Sequence, residues 1–397
     1  MAKKTIKNVR VGSKKVLVRV DFNVPLDKKT LQITDATRIE AALPTIKYLL
    51  NHHAKVVLLS HLGRVETLED VQKNSLEVVA IKLQELLQQK VIFVNATRGP
   101  LLEAAINNLK DGEIILMQNT RYEDLDGKKE SKNDPELAKY WAHLADIFVM
   151  DAFGSAHRAA ASVSGIAKYI KTSVAGFLME KEVRFLHDAV ANPQRPMIAI
   201  LGGAKVSDKI EVIKNLLKVA DKVLIGGGMA YTFYKAQGYE VGKSLLEIDK
   251  VELAKELLKN PKLVVGLDCV TNINFEDTPG VIRDVNNIKP EDQGLDIGPK
   301  TISLFKSIIK DAKTIVWNGP LGVFEFANYE KGTKEIALAI GQNQSCISII
   351  GGGDSASAVA KFHLEAQFSH ISTGGGASLE YLEGKNLPGV DAIEDLK

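Results

Sequence analysis

Cysteine is nearly absent. Cys269 and Cys346 are the two in 397 residues, and they match no metal-ligand or redox spacing. That excludes a disulfide framework and leaves two reduced thiols of a cytosolic kind. Long apolar runs are missing too. No stretch of about 18 apolar residues occurs, so no spanning helix is expected. The opening MAKKTIKNVR lacks the apolar core of a signal peptide. The cytoplasm is the expected compartment, with no membrane partner. Excess charge is also lacking. Lys plus Arg number 51 against 49 Asp plus Glu, for a formal charge of +2, which speaks against nucleic acid as a partner. Short-period repeats and low-complexity tracts do not occur.

What is present is a rhythm. Short β-rich apolar runs (VLVRVDF, KVVLLS, VIFV, EIILMQ and DIFVM, then MIAIL, KVLIG, LVVG, TIVW, CISII and HIS) alternate with helix-period segments such as SLEVVAIKLQELLQQK and DKIEVIKNLLKVA. Several runs are apolar on both faces, as parallel strands covered by helices must be. The expectation is an α/β protein with two mainly parallel, doubly wound sheets. The length suits two domains. The first is expected over residues 1–172 and the second over 193–379. VAGFLMEKEVRFLHDAV, ending at the breaker cluster ANPQRP, predicts a long connecting helix over 173–192.

The unusual polar and glycine-rich segments nearly all follow strands, where open α/β sheets bind ligands. The two halves differ in chemistry. The first holds seven of the ten arginines. Arg10 and Arg98 read as surface residues. Arg38, Arg64, Arg121 and Arg158 read as an anion site, because guanidinium forks bind carboxylate and phosphate bidentately. His61 and His157 stand beside arginines and read as anion contacts rather than general bases. The second half carries glycine clusters at 202–204, 226–228, 351–353 and 374–376. A nucleotide with its phosphates is the economical ligand for four such turns.

Three motifs mislead. GYEVGKS is one residue short of a phosphate-binding GxxxxGKS loop and follows no strand. GGGDSA matches a dinucleotide fingerprint, yet Asp354 sits where phosphate would approach. DFN resembles a protein-kinase DFG, without the HRD loop that accompanies it. Asp354 poses the sharper question, since a carboxylate repels phosphate. A divalent cation between them removes the conflict, and Mg²⁺ favours one or two carboxylates plus substrate phosphates. Capping of the following helix is the other role open to Asp354. Lys205 follows a strand and a glycine pair, where a lysine reaches a transferring phosphoryl group. Lys209 lies one helical turn on. Glu325 is a candidate ligand for ribose hydroxyls.

These motifs together resemble the phosphoglycerate kinases. VRVDFNVP, SHLGR, DAFGSAHR, LGGAKVSDKI, GGGMAYTF, GLDIGP, WNGPLGVFE, GGGDSASA and STGGGASLEYLEGK occur in order across nearly the whole chain. The resemblance implies two Rossmann-like domains, usually in a monomer, with a C-terminal tail from about residue 380 returning to the first domain. It implies reversible glycolytic phosphoryl transfer from 1,3-bisphosphoglycerate to ADP, giving 3-phosphoglycerate and ATP, with Mg²⁺. It puts 3-phosphoglycerate against Asp21, Phe22, Asn23, Arg38, His61, Leu62, Gly63, Arg64, Arg121 and Arg158. It puts the nucleotide against Lys205, Lys209, Gly294, Glu325, Gly352, Gly353, Asp354 and Ser355, with Asp354 toward the metal. Arg38 and Lys205 become the groups that stabilise the moving phosphoryl. The chain departs from the pattern at Val65, Gln118 and Ala160, where proline, glutamate and histidine are common.

Such chemistry needs no general base, because the acceptor is already an anion. Sites on two domains would have to close on one another. Two rivals are an NAD-dependent oxidoreductase, resting on GGGDSA, and a two-lobed protein that only binds a small anion.

Overall fold

The computed structural model describes residues 3–396. The chain divides into two compact units, one running to Val183 and resuming at Asn386, the other spanning Arg184–Lys385. In the first unit lie β1 (Lys15–Val20), β2 (Lys55–Leu59), β3 (Ile92–Val94), β4 (Ile114–Met117), β5 (Ile147–Asp151) and β6 (Ser173–Ala175). They form one sheet in the order β3-β4-β2-β1-β5-β6, and every neighbouring pair is parallel. β5 is buried along its whole length, and β1 is buried beyond Lys15, as central strands under two helical layers must be. Val16, Val18 and Val20 pack with Ile39, Ile46 and Leu49 of the helix Thr37–Asn51. That packing fixes the helix and, in its first turn, Arg38.

The second unit has β7 (Met197–Leu201), β8 (Lys222–Ile225), β9 (Leu263–Val265), β10 (Asp268–Asn272), β11 (Val281–Asp284), β12 (Gln293–Ile297), β13 (Thr314–Asn318), β14 (Ile347–Gly351) and β15 (His370–Ile371). Six of them make a parallel sheet in the order β15-β14-β13-β7-β8-β9. Strand order reverses between β7 and β13, which opens a crevice at their carboxyl ends. Ile198, Ile200, Ile315 and Trp317 fill the core against Phe305, Ile309, Ile336 and Ile340.

Four features differ from the expectation. β10, β11 and β12 form a small antiparallel sheet in the order β11-β10-β12. Its outer strand exposes Val281 and Ile282, so it lacks the doubly buried apolar signature of the main sheets. Ser173–Ala175 is an edge strand, and the helix expected from residue 173 runs Phe177–Ala191. An Asp151 carboxylate oxygen accepts from Met179 N at 3.1 Å in the first turn of that helix. The boundary between the units falls inside the helix, after Val183. The C-terminal return starts at Asn386 rather than near 380, because Gly375–Leu382 is a helix whose Leu382 carbonyl accepts from Asn215 Nδ2 at 2.8 Å. The return itself pairs within the first unit, where Glu394 N donates to Ser173 O at 3.0 Å and Lys4 N to Glu394 O at 2.8 Å.

Candidate active site

In the first unit, the loops after β1, β2, β4 and β5 bring the predicted residues together. Asp21 is buried and accepts from Arg38 at 2.9 Å, which holds a half-exposed guanidinium in a fixed direction. Phe22 is fully buried, with its N–H on Ser60 Oγ at 2.9 Å. Asn23 Oδ1 accepts from Gly63 N at 2.8 Å, tying the first loop to the second. Leu62 is clamped at both backbone groups by Asn119, at 3.2 and 2.7 Å. Gly63 has φ +59°, and a Cβ there would overlap the Asn74 amide, so only glycine fits. Arg121 donates to Gly63 O at 2.6 Å. Arg64 and Arg158 are exposed, and of the two only Arg158 lines the cavity here. Arg98 instead pairs with buried Glu123 at 3.0 Å.

A cavity of about 120 Å³ lies among Arg19, His61, Arg121, Glu130, Ser155 and Arg158. Its cations act on one another. Burial draws the Arg121 guanidinium below its ordinary pKa, with Arg158 and Arg64 adding to the effect. Burial holds His61 well below the usual histidine value, reinforced by Arg19, Arg121, Arg158 and Arg38. His61 is therefore neutral at pH 7. Sequence reasoning gave Arg19, Glu130 and Ser162 no role. Arg19 carried a usable signal, since an arginine inside the apolar run VLVRV has to be paired when buried.

In the second unit, a cavity of about 340 Å³ opens at the crevice. Its floor is made by backbone. Gly203 N donates to Pro320 O at 2.9 Å, Met229 N to Gly203 O at 3.0 Å and Gly227 N to Leu321 O at 3.1 Å. A Cβ at Gly202 would overlap Pro320 O, so two glycine clusters serve close approach of the loops after β7, β8 and β13. Beside Gly294 stands Tyr231, whose ring a Cβ would overlap. The small antiparallel sheet supplies Cys269, Gln293, Gly294 and Leu295 to the wall. Burial pushes the Cys269 thiol up to about 12, which makes it an inert wall group.

Glu325 and Asp354 stand at the edge of this cavity, both exposed. Asp354 is in the first turn of the helix Gly353–Lys361, but the cap position is Gly352 and no side chain caps it. Gly353 faces open space. Ser355 turns inward, and its Oγ accepts from Gly319 N at 2.6 Å. Its hydroxyl oxygen thereby ties the loop after β13 to this helix. Lys205 is exposed. Lys209 donates to Asn318 Oδ1, and burial lowers it to about 8 while Asp354 and Asp208 oppose the shift. Asn318 is buried, and its Nδ2 has no partner among the described residues. That amide nitrogen lies beside Gly351 and Gly352. Nothing local in WNGPLGVFE marks Asn318 as the residue buried beside these glycines.

No group of three or more His, Cys, Asp or Glu among the described residues could hold a metal unaided. A lone carboxylate at the cavity edge fits Mg²⁺ that arrives on phosphates. GGGDSA follows β14, the fifth strand of its sheet, whereas a dinucleotide fingerprint belongs after the first. The NAD reading loses its footing there. No helix is long and apolar enough to cross a membrane among the described residues.

The fold is that of an α/β protein with a guanidinium-lined cavity in one unit and a glycine-floored cavity in the other. The phosphoglycerate kinase family profile matches residues 6–385, and the chain belongs to that family. It is a kinase of glycolytic phosphoryl transfer. It is 59% identical to the phosphoglycerate kinase of Enterococcus faecalis and 58% identical to that of Listeria monocytogenes, each over 398 residues and 100% of both chains. The solved phosphoglycerate kinase structure from Coxiella burnetii matches at 39% identity and TM-score 0.89, and that from Pyrococcus horikoshii at 33% and 0.84. Each match covers 98% of both chains.

Proposed function

We propose that the chain transfers a phosphoryl group from the acyl phosphate of 1,3-bisphosphoglycerate to ADP, reversibly, with 3-phosphoglycerate on the first unit and the nucleotide on the second. The carrying observation is the division of chemistry between the two. One cavity is ringed by guanidinium groups around a neutral His61. The other has a backbone floor with Lys209 and Asp354 beside it.

The nucleophile in either direction is an anion, a carboxylate or a phosphate oxygen, so no side chain has to remove a proton. The neutral, cation-flanked imidazole of His61 is a poor base and a good hydrogen-bond donor. Catalysis is then positioning plus charge stabilisation. Arg38, aimed by Asp21, and Lys205 are the cations that meet the moving phosphoryl. Lys209 and Asn318 hold phosphate oxygens near Gly352 and Gly353, and the free N–H groups of the helix Gly353–Lys361 add donors. Asp354 would hold Mg²⁺, which supplies charge neutralisation on the nucleotide phosphates when bound. Direct transfer requires that the two sites meet and exclude water at that moment, so closure belongs to the mechanism. We place the enzyme in the cytoplasm as a monomer.

The test is ADP release from ATP, Mg²⁺ and 3-phosphoglycerate, with EDTA and no-acceptor controls. Turnover requiring both metal and acceptor is expected. Arg38→Ala is expected to lose at least a hundredfold in kcat with ATP affinity nearly unchanged. Turnover without the acceptor, or an equal loss of ATP affinity, would overturn the assignment.

A further inference from the structure

Behind the arginine cavity runs a buried chain of contacts. Glu130 accepts from Ser162 N at 2.9 Å and from the Ser162 hydroxyl. Ser162 Oγ accepts from Arg19 Nε at 2.8 Å. Arg19 also donates to Val20 O, and its NH2 group meets His61 Nδ1 at 3.0 Å. Arg19, Glu130 and His61 are all buried. A guanidinium has five donors and no acceptor. The contact with His61 therefore has one polarity: Nδ1 presents its lone pair to Arg19, and the ring proton is on Nε2. Protonating Nδ1 would break this hydrogen bond and set two cations side by side in a dry place.

Resting on the assignment of this cavity to the anionic substrate, we propose that Arg19, held by Ser162 and Glu130, is a positioning residue that locks His61 as a neutral Nε2–H donor. Burial first, and then the arginines, take the ring below the usual histidine titration near pH 6.5, and Arg19 decides which nitrogen keeps the proton. The groups that act on the ring come from every side: Arg19 from β1, Arg38 from the helix Thr37–Asn51, Arg121 after β4 and Arg158 after β5. Glu130 faces the same cavity, and it and Asp21 favour the charge on Arg19. Arg19 thus does two things. It adds a cation behind the anion site, and its NH2 group fixes the proton of its neighbour.

The test uses full-length protein with ¹⁵N-labelled histidine, followed by NMR from pH 5.5 to 8. The His61 signals are assigned by their loss in His61→Gln. The parent is expected to show an unprotonated Nδ1 and a protonated Nε2 throughout, with no titration. In Arg19→Gln, burial, Arg121, Arg158 and Arg38 still hold the ring neutral, but its proton is expected to spread over both nitrogens, seen as Nδ1 and Nε2 shifts moving toward each other. kcat/KM for 3-phosphoglycerate is expected to fall at least threefold while KM for ATP stays constant. Ser162→Ala removes only a hydroxyl and serves if Arg19→Gln does not fold, with the same signs and smaller amplitude. A parent ring that titrates in the window, or a folded variant whose ring proton stays wholly on Nε2, overturns the lock. A neutral parent ring whose signals ignore 3-phosphoglycerate overturns the substrate assignment instead.

Discussion

Asp151 is a buried carboxylate at the end of β5 with one oxygen, Oδ2, lacking any partner among the described residues. Its Oδ1 accepts from Met179 N, and the Thr45 hydroxyl also bonds to the carboxylate. Burial, the largest influence, raises it from 3.8 to about 7 against those hydrogen bonds. At about 1.4 kcal/mol per unit of pKa, the ionised form is roughly 4 kcal/mol worse off in the folded chain than in the unfolded one. The unfolded chain loses this proton near pH 3.8 and the folded chain near 7. Unfolding between those values releases a proton, so stability falls as pH rises and levels off above about 7. Roughly 3 kcal/mol of that fall lies between pH 5 and 8. Asp151→Asn keeps the acceptor and removes the charge. The chain offers a clean reporter, because its two tryptophans are buried one in each unit, Trp141 in the first and Trp317 in the second. Urea unfolding followed by Trp141 fluorescence in a Trp317→Phe background isolates the first unit. The stability of the protein with its native aspartate, minus that of the Asp151→Asn variant, is expected to shrink by about 3 kcal/mol from pH 5 to 8. His61, whose lowered pKa acts with the opposite sign near pH 6.5, cancels in that difference. A difference independent of pH would refute the reasoning.

Lys209 is charged below about pH 8, so ATP affinity is expected to weaken as pH rises through 8. Lys209→Arg is expected to abolish that alkaline limb, and calorimetric titration at pH 7 and 9 measures it. Gly294→Ala drives a methyl into the Tyr231 ring, and overpacking of about 1–3 kcal/mol is expected to weaken ATP binding tenfold or more. 3-Phosphoglycerate affinity should not move, and a parallel loss of both would sink the local explanation. Asp354→Asn is expected to raise the Mg²⁺ concentration for half-maximal turnover at least tenfold. An unchanged Mg²⁺ titration would remove Asp354 from the metal.

Much of the site was legible because ligands in open α/β sheets sit at strand carboxyl ends. A charged or glycine-rich segment after an apolar run is then informative before any coordinates. Arg64, Arg121, Lys205 and Asp354 stand in such segments and are candidates on that ground, whereas Arg38 lies well beyond β1 in the first turn of a helix. For Ser355 the structure adds a bond that no local pattern shows, because its inward turn toward Gly319 depends on a loop 36 residues away in sequence. The antiparallel sheet that walls the nucleotide cavity escaped for a related reason. Its outer strand Val281–Asp284 is largely exposed, and its two inner strands mix polar residues among the buried ones, so they look like loop.

By itself, the sequence determined the α/β alternation, the two sheets and the split between an arginine site and a glycine site. Those depend on local periodicity and residue type. Only the tertiary structure decided which polar groups are dry and what they face. Arg19 meets Ser162 across 143 residues of chain. His61 becomes neutral, and Asp151 holds its proton to about pH 7, because burial and surrounding charges set a pKa, and long-range packing sets both.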